Sequence, residues 1–115
     1  MTSQGSPHAR FSRALKTGNL FLVKTAAKEL PRVDLEDALA ICILMELQDD
    51  DAYERAAVRW LGRFALEAPA ATMADLRTGA EALDALPSPE GRQALAALCK
   101  RHGLNRAAQT LQASR

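Results

Sequence analysis

Residues 51–68 read DAYERAAVRWLGRFALEA, and the fold turns on how this stretch is read. It holds the only tryptophan, Trp60, the only tyrosine, Tyr53, and one of three phenylalanines, Phe64. Tyr53, Ala56, Ala57, Trp60, Leu61 and Phe64 recur at the i, i+3, i+4 spacing that lines up side chains on one face of an α-helix. Asp51 stands where an N-cap belongs, and Glu54, three residues on, completes the pattern of a reciprocal capping box. Pro69 ends the helix, because it lacks an N–H and pushes Ala68 out of the α region. A helix with its largest apolar groups on one face is a hub for other helices. Trp60, Leu61 and Phe64 are therefore expected at the centre of the core.

Working outward, the preceding segment supplies the partner. Asp34 is placed to cap a helix from Leu35 to about Gln48, with Asp37 where negative charge favours a helix start. From Ala38 to Met45 this helix is apolar almost all round, so it is expected to be buried on more than one side, with Ile41 and Leu44 in the core. Leu22 and the Leu44–Met45 pair are the candidates for apolar surface beyond what one core requires. The Asp49-Asp50-Asp51 run reads as a solvated turn and cap, since it lacks the spaced ligands and turning glycine of a calcium loop.

Farther out, the punctuation is regular. Ser6-Pro7 starts a helix that Gly18 stops; Asn19 caps another, Leu20 to Leu30, closed by Pro31. After Pro69, Thr72 caps a helix to about Leu86, with Asp75 at its third position. Its packing face reads Met73, Leu76, Ala80 and Leu83, extending to Leu86, with Gly79 either permitting close approach or weakening the middle. Ser88-Pro89 starts a sixth helix to about His102, with Ala94, Leu95, Leu98 and Cys99 inward and Gly103 as its stop. Residues 1–5 read as a disordered tail, 6–104 as one helical domain, and 105–115 as a short terminal helix or a frayed end.

Composition agrees. Among 115 residues, 48% are hydrophobic and 23 are alanine, the residue that most favours helix and lets helices approach closely. The expectation is an all-α protein of five to seven short antiparallel helices. It is either a compact bundle or a short αα-superhelix. Shifted by about 38 residues, Pro31 falls on Pro69, Asp34 on Thr72, Asp37 on Asp75 and Met45 on Leu83. A period of this size with two helices per unit resembles the αα repeats of the HEAT and tetratricopeptide kind. In this chain Trp60-Leu61-Gly62 is contiguous, where the tetratricopeptide pattern spaces those residues.

For function, charge is the most distinctive feature. The net charge of +1 conceals balances of +5 over residues 1–32, −9 over 33–90 and +5 over 91–115. Two cationic sets follow. Arg55, Arg59 and Arg63 form an i, i+4, i+8 stripe suited to anionic oxygens or an acidic partner, with local pairing such as Arg63 to Glu67 as the bland alternative. Arg10, Arg13, Lys16, Lys24, Lys28 and Arg32 form a basic N-terminal set, the candidate surface for nucleic acid. Catalysis finds no support: there is no Gly-rich phosphate loop, nucleophile elbow or metal-ligand spacing, and no cofactor motif. Cys42 and Cys99 read as buried thiols. No run is apolar enough for a signal peptide or membrane span, which points to the cytoplasm. The expected function is a non-catalytic interaction module that binds another protein or a second copy of itself, with nucleic-acid association as the alternative.

Overall fold

Seven helices account for the regular structure of the described residues, 6–113, of a computed structural model: α1 Pro7–Thr17, α2 Leu20–Ala27, α3 Leu35–Leu47, α4 Tyr53–Glu67, α5 Met73–Ala85, α6 Pro89–Arg101 and α7 Asn105–Ala113. No strand occurs among them. The protein is all-α. The reading of residues 1–5 as a tail falls outside the described residues.

The helix starts follow local chemistry. Ser6, Asn19, Asp34, Thr72 and Ser88 all adopt extended backbone, and each side chain accepts the N–H three residues on. Two assignments need correction. The hub helix has Ala52, not Asp51, at its N-cap, with no side-chain cap. The tight turn from α3 carries Asp49 at φ 55°, and the Asp50 carboxylate takes the Ala52 N–H at 2.8 Å, so Asp51 is left outside the helix start. The second helix ends at Ala27 rather than Leu30, because the backbone tightens to i→i+3 bonds at Glu29 and Leu30 ahead of Pro31.

Trp60, Phe64, Leu39, Leu95, Leu98, Cys99 and Leu111 are buried in one core built from α3 to α7. Trp60 and Phe64 stack with ring centroids 5.5 Å apart, and Phe64 meets the edge of His102 at 5.0 Å. The Trp60 Nε1–H donates to the Leu35 carbonyl at 2.8 Å, which ties the hub helix to the first turn of α3. The Tyr53 hydroxyl donates to the Leu83 carbonyl at 2.7 Å and ties α4 to α5. Leu61 is partly buried against the same core.

α3 is buried on two sides, as its all-round apolarity requires. Leu39 and Cys42 face the main core, while Ile41 and Leu44 pack against a second cluster of Phe11, Ala14 and Val23 from α1 and α2. Met45 is buried and Leu44 is covered by the α1–α2 hairpin, so this pair does not form free surface. Leu22 remains exposed, as does Phe21.

α7 decides between the two architectures. Its Ala107, Ala108 and Leu111 enter the main core, and α7 packs on both α6 and α3. This return of the last helix to the third closes a bundle of α3–α7, with the α1–α2 hairpin docked on the outer side of α3.

α5 departs from its expected inward face. Leu83 is buried and Leu76 and Leu86 pack against the core as expected, but Met73 and Ala80 are exposed, and Gly79 and Ala82 are buried in their place. The cause is close approach: a Cβ at Gly79 would lie 2.8 Å from Leu61 Cδ1 and 3.3 Å from Leu98 Cδ2. With glycine there, α5 sits tight against both α4 and α6.

Asp75 joins α5 to the end of α6. It completes a capping box with Thr72, and it also meets Arg101 at 3.1 Å and His102 Nε2 at 3.0 Å. The Thr72 N–H foremost, with Arg101 and His102, holds its carboxyl down at about 2 against an ordinary 3.8. Because the folded value is the lower one, the stabilisation is complete above the unfolded value and disappears as pH falls through about 2. Asp75→Asn is therefore expected to lower the melting temperature near neutral pH and to leave it unchanged near pH 2. Thermal melts across that range, followed by circular dichroism, check this. A deficit that persists undiminished in acid would show that the carboxylate charge is not what matters.

Candidate functional site

The α4 stripe forms one wall of a groove. α4 packs on α3, and α2 lies along the other side of α3, so a concavity of about 430 Å³ opens between them. Its floor is apolar: Val33, Ala38, Ile41, Cys42, Met45, Ala56 and the edge of Trp60. Arg55, Arg59 and Arg63 stand on the α4 side, and Lys24 on the α2 side. Heptad-like spacing on α4 explains this division, since Ala56 and Trp60 turn inward while each arginine falls one position before the inward residue.

The four cations differ in their partners. Arg63 is bound by Glu67, with Nε 2.8 Å from Oε2, the local pairing anticipated from the i, i+4 spacing. Glu67 also receives Arg32 at 3.3 Å, and its carboxyl is held below its ordinary value by Arg63 in the first place. Lys24 sits 3.6 Å from Asp50. Arg55 and Arg59 are exposed and make no ion pair among the described residues. Arg59 also projects its field onto the floor. Burial pushes the Cys42 thiol up to about 11, and Arg59 partly opposes that shift.

α2 adds what the charge pattern alone did not reveal. Phe21, Lys24 and Lys28 are spaced i, i+3, i+7, so they share one side of α2. Lys24 lines the groove, and Phe21, 75% exposed, stands one turn before it on α2, outside the residues that line the groove. An exposed phenylalanine in an amphipathic helix is the available signal, but its meaning depends on where α2 docks.

The rest of the basic N-terminal set disperses. Arg10 is paired with Glu29 at 2.6 Å. Lys16 lies on the opposite face of α3, beside Glu36, Asp37 and Arg106. Arg13 is exposed on α1. Lys16 is thus turned away from the groove that Lys24 lines.

No family model, curated protein or solved structure matches this chain. The chemistry must be read from the residues themselves. Both thiols are buried, and burial pushes Cys99 up to about 12, which leaves neither as a ready nucleophile or metal ligand at neutral pH. Among the described residues no group of three His, Cys, Asp or Glu is arranged to hold a metal ion, and no helix is long and apolar enough to cross a membrane.

Proposed function

We propose that this chain is a small helical protein–protein interaction module, a scaffold, adaptor or regulatory subunit, that receives a partner in the α2–α3–α4 groove and carries out no reaction of its own. One observation carries the reading. The groove pairs an apolar floor with two exposed arginines, Arg55 and Arg59, that make no ion pair among the described residues, although the segment that carries them is rich in acids. Apolar floor and charged rim are the anatomy of a protein interface, where burial supplies affinity and the rim supplies orientation. Nucleic-acid binding, the alternative, is less well supported. A phosphate backbone gains nothing from an apolar floor, and Arg10, Lys24 and Arg32 already face carboxylates within the chain.

The test compares three forms of the chain as bait: the natural sequence, Arg55→Glu/Arg59→Glu, and Arg77→Glu, which reverses an exposed charge on α5 away from the groove. A protein retained by the first and third and lost by the second is the expected result. Light scattering at low and high salt runs alongside, to score a second copy as the partner. A chain that retains nothing and stays monomeric at both salt concentrations would overturn the reading.

A further inference from the structure

The proposal above leaves the partner's chemistry open, and the groove itself narrows it. Resting on that reading, we infer that the occupant is an acidic amphipathic helix of another protein, its apolar stripe on the floor and its carboxylates against Arg55 and Arg59.

Backbone chemistry argues for a helix. An extended peptide brings N–H and C=O groups at every residue, and each must find a partner when covered. The groove is walled by helices whose own backbone bonds are closed, and no strand among the described residues offers an edge to add to. A helix satisfies its backbone internally and presents only side chains, so it can lie on an apolar floor without that cost. The floor is lined by Ile41 and Met45, one turn apart on α3, and by Ala56 and Trp60, one turn apart on α4; Met45 and Trp60 are already buried, so Ala38, Ile41 and Ala56 supply the apolar surface a partner would meet. Small Ala38 and Ala56 leave room for a third helix to pack between them.

Charge argues for acid. Arg55 and Arg59 stand one turn apart, roughly 6 Å, which matches carboxylates at i and i+4 on the facing helix. Guanidinium groups bind carboxylates through two parallel hydrogen bonds, a geometry a lysine pair would not impose. On α2, the exposed Lys28 follows Lys24 by one turn and the exposed Phe21 precedes it, a basic flank with the kind of aromatic that anchors an interface. A basic or neutral helix would offer Arg55 and Arg59 no carboxylate.

The experiment is a display selection of random peptides of roughly 16 residues, about 4.5 helical turns, against the immobilised full chain. Enriched peptides are expected to carry Leu, Ile, Met or Phe at i, i+3, i+4 spacing with Asp or Glu beside them, and to gain helical circular dichroism on binding. Arg55→Glu/Arg59→Glu is expected to weaken them by about tenfold or more, a loss that shrinks as salt rises. Phe21→Ala, at an exposed position that leaves the fold intact, is expected to weaken them as well, while Arg77→Glu has no effect. Groove-sensitive peptides that are neutral or basic, or that bind without helix, would overturn this assignment and spare the interaction module. Peptides matching a segment of this chain would overturn it in favour of a second copy. Displacement by single-stranded RNA, with steep salt dependence, would overturn it in favour of nucleic acid. Enriched peptides indifferent to both groove variants would overturn the groove itself, and a selection that enriches nothing would overturn module and occupant together.

Discussion

Trp60→Ala is expected to destabilise the protein by about 3–5 kcal/mol, the range for removing a large aromatic from a core that cannot collapse into the space. Trp60 is 2% exposed and touches the structure on every side that matters. Its ring stacks on Phe64, which in turn meets His102 at the end of α6. Its Nε1–H is bound to the carbonyl of Leu35, the first residue of α3. Deleting it therefore loosens α4 from α3 and withdraws one side of the contact that positions α6. Since domains of this size are stable by only about 5–15 kcal/mol, the variant is expected to be partly unfolded at physiological temperature. Trp60→Phe separates the contributions. It keeps much of the apolar area and loses the hydrogen bond, so a cost of about 1–2 kcal/mol is expected. Urea denaturation followed by far-ultraviolet circular dichroism measures both. A Trp60→Ala variant as stable as the natural chain would mean that Trp60 is not the centre of the core. Because Trp60 also borders the groove, a binding defect in this variant would report unfolding, and the exposed Arg55, Arg59 and Phe21 are the sound probes of function.

How far the sequence led depended on the range of the interaction. Ser6, Asn19, Asp34, Thr72 and Ser88 could be read as helix caps because a cap is a bond to an N–H three residues away. Asp51 misled because the chain reverses immediately before it, and Asp50 captures the N–H of Ala52 first. The all-round apolarity of α3 correctly implied two buried sides, but the second side belongs to a separate cluster. Nothing local to Ile41 or Leu44 says that Phe11 and Val23 will cover them. The arginine stripe was visible as an i, i+4 pattern on α4. Its opposing wall was not, since Lys24 reaches the groove only because the α1–α2 hairpin docks on α3. The charge pattern was likewise legible as segments and opaque as pairs. Basic ends and acidic centre meet within the chain: Lys24 with Asp50, Arg101 with Asp75, and Arg106 with the start of α3.

Arg106→Ala is expected to cost about 1.5–3 kcal/mol, well beyond a surface ion pair, because it strands a buried carboxylate. Asp37 is 4% exposed and receives Arg106 Nη1 at 2.8 Å, while Nη2 reaches Asp34 at 3.2 Å and Glu36 at 3.3 Å. Two helix N-termini converge here, those of α3 and α7, and both carry the positive end of a helix dipole. The three acids answer both. Asp34 accepts the Asp37 N–H at 2.8 Å within α3, and Glu36 reaches across to accept the Ala107 N–H at 2.9 Å in α7. Arg106 then balances the excess negative charge that this capping concentrates. Without it, three carboxylates share one corner, where the largely exposed His8 stands 3.5 Å from Asp37 and Lys16 borders the same hollow. Arg101→Ala, at a position 54% exposed, is the contrast, with a loss under about 1 kcal/mol. Arg106→Lys should recover part of the stability, since it restores the charge without the fork that spans three acids. The coupling is read from a double-mutant cycle with Asp37→Asn: neutralising the buried acid should rescue much of the Arg106→Ala loss, because the stranded charge is then gone. Costs that simply add would mean that Arg106 acts through packing of its stem on α3, and that α7 is held in the bundle by Ala107, Ala108 and Leu111 alone.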